Sequence, residues 1–536
     1  MKATNIKQAI GTTRRLLASL FALALLLTAA AQAATPGITG PSFDLRAEAA
    51  FISQPDGAMV YSWGYGCNTA PAGFAPRPNG VDLPNANCPT MQIPGPTLIV
   101  TQGQTVTVKL TNNLPAAAGN TSILFPGFAV TSSGGVPGLL TQEAAPGASV
   151  TYTFTASTPG TRAYYSGSQG DLQVEMGLYG AIVVLPSAIP SACTSGLAAK
   201  NAQSASFHGE ADFRLAAAAY NHVKACYDRE YLFQFSEMDP RIHNEALAQV
   251  TAKAGCAAGA PECALAVATE PYIPAYFMVN GRSMPDDMDS NYAYQYSHQP
   301  YNGNPHMHPG EQVLLRIVGQ GRWQHPFHEH GNHVRVLARD GNLILSDTDP
   351  ANNLAGPLLF TTTTTPGMAM DGIFYWTGKG LNWDAYGHTP NPASGDPVAK
   401  LTCTPDANGY NTADPTAVNY YEWCQDHNKP LEAHPFSKDI AGGGPVTLPD
   451  SNILTNGPWF GGSPYLGPNA TVRAVGTTGT TPPSGTVANP PSEEAAFAYM
   501  WHSHNEREIT TNNIFPGGMM MMMLVDSREF KIDESN

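Results

Sequence analysis

"TLIVTQGQTVTVKLTNNL", residues 97–114, sets a short apolar run and then alternating polar and apolar side chains on the two sides of a Gln-Gly-Gln turn. Successive side chains of a strand point to opposite faces, so alternation bounded by glycine and asparagine reads as strands with one face in a core. The same signature returns in "ASVTYTFTAS" (148–157), "QVLLRIVGQG" (312–321) and "HVRVLARDGNLIL" (333–345). Glycine (52) and proline (46) punctuate the chain and charged residues make up only 13% of it. Many short antiparallel strands separated by turn residues predict an all-β fold of stacked sandwiches.

The 536 residues are enough for two or three domains. The first sandwich is expected over 42–187, closing in "GLYGAIVVLP" (177–186). A connector follows over 188–228. In it "ADFRLAAAAYNHVKACYDRE" (211–230) is rich in helix formers and predicts a helix. The second sandwich is expected over 229–530, with strands in "EYLFQFSEMD" (230–239) and "AYFMVNGRSMPDD" (275–287). A long loop-rich insertion, about 381–495, interrupts it with Gly, Pro, Asn and Thr. The two regions end alike. "TPGTRAYYSGSQGDLQVEMGLYGAIVVLP" (158–186) and "AAFAYMWHSHNEREITTNNIFPGGMMMMMLV" (495–525) each give an aromatic strand, a polar loop, glycine and an apolar strand. A duplicated sandwich is the reading.

The first 33 residues carry Lys2, Lys7, Arg14 and Arg15, then an apolar run from Leu16 to Leu27 and a small-residue site at Ala31-Gln32-Ala33. This is a signal peptide cleaved near Ala33, which makes the mature chain secreted or periplasmic. The Arg14-Arg15 pair hints at twin-arginine export, but ordinary secretion fits the rest better. Losing four basic side chains moves the formal charge from −15 to −19, which excludes nucleic acid as a partner bound through general charge. No later segment is apolar enough for a membrane span. Eight cysteines in an oxidising compartment predict disulfides. Neighbour pairing is expected: 67–88, 193–226, 256–263 and 403–424.

Chemistry concentrates in the histidines. There are 15, none before His208. "QHPFHEHGNH" (324–333) holds four of them. His328-Glu329-His330 and His502-Ser503-His504 are both His-x-His pairs, and on a strand such a pair presents two imidazoles to one side. If the two strands are neighbours, four ring nitrogens converge on one point, a set that suits Cu, Zn, Fe or Ni. A third pair, His306 and His308 in "NPHMHPG", sits at a turn and reads as structural. Glu506 and Glu508 are acceptors that orient imidazoles, ligands for a harder metal, or partners of Arg507. Met519–Met523 reads as buried strand filling, with Met519, just after Gly517-Gly518, as the one candidate soft ligand. No GxSxG elbow, phosphate loop or HExxH is present, and the absence of early histidines excludes a triad drawn from the first domain.

These residues resemble the multicopper oxidase family. "IPGPTLIVTQGQTVTVKLTNNLP" (93–115) is similar to its opening strands and "GLYGAIVV" (177–184) to the end of its first domain. "HPFHEHGNHVRVLARDG" (325–341) is similar to its HPxHxH segment, and "WHSHNERE" (501–508) stands where the family has HCHxxxH. The resemblance implies two cupredoxin-like Greek-key sandwich domains, with His325 at the type 1 copper position, His328 at a type 2 position and His330, His502 and His504 at type 3 positions. It also marks departures. The two HxH pairs of the first domain fall on Leu124 and Pro126, and on Tyr165 and Gly167. The type 1 cysteine is Ser503, the second type 1 histidine is Glu508, and the axial position is Asn513 or, after an insertion, Met519.

A blue site needs a thiolate, and half of the imidazoles of the family's trinuclear cluster are missing. A trimer restores none, because every first domain lacks them. Four-electron reduction of oxygen by the family's usual route is therefore not expected. The expectation is a secreted copper-binding relative with altered oxidoreductase activity. Its metal candidates are His325, His328, His330, His502, His504 and Glu508, for one or two copper ions with zinc as the alternative. A small-molecule or metal substrate and a homo-oligomer are both compatible with this reading. The rival expectations are a non-enzymatic copper-binding or structural protein, and a zinc hydrolase with Glu506 or Glu508 as base.

Overall fold

The computed structural model of the chain describes residues 35–75, 88–194, 214–379, 404–413, 421–425 and 496–526, with a few isolated positions besides. The leader and most of the 381–495 insertion lie outside them.

The stretch 97–114 forms two strands, Leu98–Thr101 and Thr105–Asn112, turned at Gly103 with φ +89°. That left-handed backbone disfavours any residue with a Cβ, hence the glycine. The two strands belong to different sheets, so this turn carries the chain across the sandwich. On Thr105–Asn112 the alternation does what it predicts: Val106, Val108 and Leu110 are buried and stand opposite Phe154, Tyr152 and Val150 of the antiparallel strand Ser149–Thr155. Two five-stranded sheets enclose Trp63, Tyr65, Phe125, Tyr152, Phe154 and Tyr164. Each such side chain removed from water stabilises the fold by roughly 1.5–3 kcal/mol.

The second sandwich pairs a sheet built on Arg229–Met238, Gln312–Gly319 and Ala369–Tyr375 with one built on His325–Glu329, Ala496–Ser503 and Met520–Asp526. Phe233, Phe235, Phe327, Trp501, Met519, Met521 and Met523 fill the space between them. The methionine run is thus largely core. Both regions close in the same way. Gly160–Tyr165 pairs antiparallel with Tyr179–Leu185, which runs parallel to Leu98–Thr101. Ala496–Ser503 pairs antiparallel with Met520–Asp526, which runs parallel to His306–Met307.

The connector helix is a correction. Among the described residues of that stretch, 214–228 form bends and an isolated bridge, Ala218 to Cys226, with no helix. Its alanines are there to pack: Ala219 and Ala225 are buried with Tyr220 and Tyr227 against Leu314 and Leu337. Close packing overrides helix propensity. The longest helix among the described residues is Pro240–Ala252 instead. Asp239 caps it by accepting from the Arg241 N–H at 3.0 Å, with Pro240 in the first turn. Ile242 and Ala246 seat it on the first core.

Three disulfides follow the neighbour order, Cys67–Cys88, Cys193–Cys226 and Cys256–Cys263. Cys424 is also disulfide-bonded, while its expected partner Cys403 lies outside the described residues. Among the described residues no helix is long and apolar enough to cross a membrane.

Candidate metal centre

The two His-x-His segments are adjacent antiparallel strands. His328 stands directly opposite His502, and Phe327 opposite Ser503. Alternation then sorts the faces. Phe327 points into the core, and Ser503 shares its side, while His328 and His502 share the other. His330 joins them two residues on. The ligand atoms of His328, His330 and His502 all lie within 4.8 Å of one another.

The rings are oriented for coordination. His502 Nδ1 faces the Ser503 carbonyl at 2.7 Å, which only an N–H can use, so Nε2 keeps its lone pair. That Nε2 lies 3.3 Å from His330 Nε2. His328 Nδ1 is held by Thr361 Oγ1 at 2.8 Å. Burial first, then the neighbouring rings of His330, His504 and His502, push the His328 imidazole down to about 4. Burial likewise lowers His502. Neutral rings are the form a metal takes. The chemistry of the donor set therefore fits a transition-metal ion.

His504 stands at the margin. Its ring centroid is 4.8 Å from that of His328, but its side chain is 52% exposed and it lies outside the three-ligand group, beside Glu506 at 3.8 Å. Between His328 and His330, buried Glu329 accepts from Thr362 Oγ1 at 2.6 Å, and burial pushes its carboxyl up to about 8. His306 and His308 are buried and bonded to Asp526, His306 Nδ1 to the carboxylate at 2.7 Å and His308 Nδ1 to the carbonyl at 3.1 Å.

His325 and Glu508 are brought together, but with each other and outside the three-histidine group. His325 Nδ1 meets Glu508 Oε2 at 2.9 Å and its Nε2 meets Glu237 Oε2 at 2.9 Å, all three side chains buried. Burial alone would neutralise the ring. The two carboxylates outweigh it and hold His325 up to about 9. Both ring nitrogens carry protons at neutral pH, leaving no lone pair for a metal. Ser503 Oγ completes the group by donating to Glu508 Oε2 at 2.5 Å. Glu237 is a residue that sequence reading missed. It lies 88 positions before His325, in a strand with no motif. The only available signal was an acidic residue within the apolar run "EYLFQFSEMD".

The first sandwich holds no imidazole, because no histidine precedes His208. Leu124 bridges Tyr165 there, as His328 faces His502 in the second. Leu124 fills the room as well: a Cβ on Gly167 would meet its Cγ at 2.8 Å.

Residues 88–188 match the multicopper oxidase family model. That stretch is similar to a multicopper oxidase domain. Proteins similar to part of the chain include multicopper oxidase MCE of Talaromyces pinophilus, 38% identical over 98 residues, which are 18% of this chain and 15% of that protein. Laccase abr2 of Aspergillus fumigatus is 36% identical over 98 residues, 18% of this chain and 16% of that protein. The matched stretch is thus a small part of each relative's length. Similar solved structures include a multicopper oxidase, mgLAC, with 16% identity and a TM-score of 0.42, covering 90% of this chain and 86% of that one. A blue copper oxidase from Nitrosomonas europaea has 14% identity and a TM-score of 0.43, covering 90% and 85%.

Proposed function

We propose that the protein is a secreted, copper-binding relative of the multicopper oxidases whose metal site is His328, His330 and His502, with His504 at its open side. The observation that carries this reading is the convergence of three imidazoles, with Nδ1 of His328 and of His502 engaged elsewhere and His502 Nε2 turned to His330. The domain reading goes with it: a sandwich over 42–187 and a second over 229–530. The disulfides support an oxidising compartment.

Copper bound there supplies one-electron redox chemistry. The chain's own residues then limit what is done with it. Ser503 offers no thiolate, and His325 is closed to metal between Glu237 and Glu508. Leu124, Pro126, Tyr165 and Gly167 bring no ligand from the first sandwich. A single-ion site with an exposed flank suits one-electron oxidation, or the holding of copper as cargo, better than four-electron reduction of oxygen.

The test is metal analysis with electron paramagnetic resonance on natively purified protein. About one copper per chain is expected, with nitrogen hyperfine structure and no intense blue thiolate-to-copper band. His328→Ala and His502→Ala should each abolish binding. Zinc in place of copper, or copper retained in both variants, sinks the proposal.

A further inference from the structure

We infer that Glu508 is a positioning residue for the metal-site loop, setting through Ser503 and Asn505 where His502 and His504 present their rings. This rests on the copper reading above. The loop leaves its strand at Ser503, the residue between the two histidines. Ser503 Oγ donates to one oxygen of Glu508 at 2.5 Å, and Asn505 Nδ2 donates to the other at 2.9 Å. One carboxylate thus grips the chain on both sides of His504. Asn505 N–H closes the small ring by donating to Ser503 Oγ at 3.2 Å.

The carboxylate is itself fixed. Its backbone N–H donates to the Asn505 carbonyl at 2.7 Å, and its carbonyl accepts from Met519 N–H at 2.8 Å. Its side chain meets His325, which sits on the same strand as His328. His325 is anchored in turn by Glu237, whose Oε1 accepts the backbone N–H groups of Arg322 at 2.7 Å and Trp323 at 2.9 Å. A chain of charge-assisted bonds therefore ties the two ligand-bearing strands together on the face away from the metal. Ligands whose supporting partners are removed typically lose about 10–100-fold in metal affinity. The brace matters most for His504, whose backbone N–H bonds the Pro326 carbonyl at 2.8 Å but whose side chain is half exposed.

The experiment compares Ser503→Ala, Glu508→Ala, their double variant and Glu508→Gln. Copper affinity is measured by competition with a chelator, and amide hydrogen exchange is measured at 502–505 in the metal-free protein. Each single alanine variant should lose about 10–100-fold in affinity. The double variant should lose no more than the worse single, because both remove one link. Glu508→Gln keeps an acceptor for Ser503 and should recover most of the loss. Exchange at 502–505 should speed up in both alanine variants and not in Glu508→Gln. Ser503→Ala deletes only a hydroxyl, so it carries the test if Glu508→Ala does not fold. Additive losses, or unchanged affinity and exchange, overturn the inference. Wild-type protein that takes no copper overturns the copper reading, while the exchange data still decide the brace.

Discussion

His325 lies buried between two carboxylates, and its proton is what reconciles them. With the ring charged, Glu237 and Glu508 each receive a charge-assisted bond at 2.9 Å. With the ring neutral, one of them faces a lone pair. The groups around the triad are Tyr272 and the Arg322 and Trp323 amides on Glu237, and Ser503 and Asn505 on Glu508. The folded ring holds its proton up to about 9, against an ordinary value near 6.5. A raised folded value means the stabilisation is complete below about 6.5 and is lost as pH rises through 9. The metal-free protein should therefore lose unfolding free energy between those limits, read by urea titration at several pH values. Burial also holds the Glu329 carboxyl up to about 8, so it adds its own loss of stability as pH rises from about 4.5 to about 8. The comparison that isolates the triad is wild type against His325→Gln, in which Glu329 is common to both. Equal pH slopes in the two proteins would falsify the charged-ring account. None of this was legible from sequence, because His325 reads as one more imidazole in a metal motif and its second carboxylate comes from a distant strand.

At the scale of strands the sequence said more. Alternation at 105–110 placed Val106, Val108 and Leu110 inward. The His-x-His spacing gave the right shared face, provided the two strands were neighbours, and they are. Periodicity could not say which of four histidines would turn outward, because that depends on where Ala496–Ser503 ends and its loop begins. The connector alanines misled for a related reason: alanine serves a helix and a tight contact equally well. The methionine run was legible as filling, and Met519 is the residue that tests it. It is fully buried in the second core and its N–H bonds the Glu508 carbonyl at 2.8 Å. Met519→Leu keeps nearly the same volume, so it should cost less than about 1.5 kcal/mol and leave copper affinity unchanged. A loss of affinity without a loss of stability would make Met519 a ligand.

Across the whole molecule the two sandwiches meet through apolar clusters, one of them joining Ile93 and Tyr179 to Met238 and Tyr276, and through buried polar groups that include a knot of charges. Ala163 and Ala181 of the first pack against Leu232, Val318 and Ala369 of the second. Beside them Asp371 accepts from the Thr161 N–H at 3.1 Å, from Thr161 Oγ1 at 2.6 Å and from Tyr220 Oη at 2.5 Å. Arg316 lies 3.7 Å from Asp371 and is bonded to Glu230 at 2.8 Å. Here the first sandwich contributes donors, the connector a phenol and the second the charges, so no part is satisfied alone. Removing one member of a buried charged pair typically costs about 3–5 kcal/mol. Arg316 keeps Glu230, which puts Asp371→Ala at the lower end, about 3 kcal/mol. The loss falls on the contact between sandwiches rather than inside either core. Scanning calorimetry should therefore show more than a lower midpoint: a single transition in wild type should separate into two in Asp371→Ala, the second sandwich unfolding apart from the first. One transition with an unshifted midpoint would mean that the other contacts between the sandwiches couple the two halves without this knot, which would then serve only to fill a buried polar space.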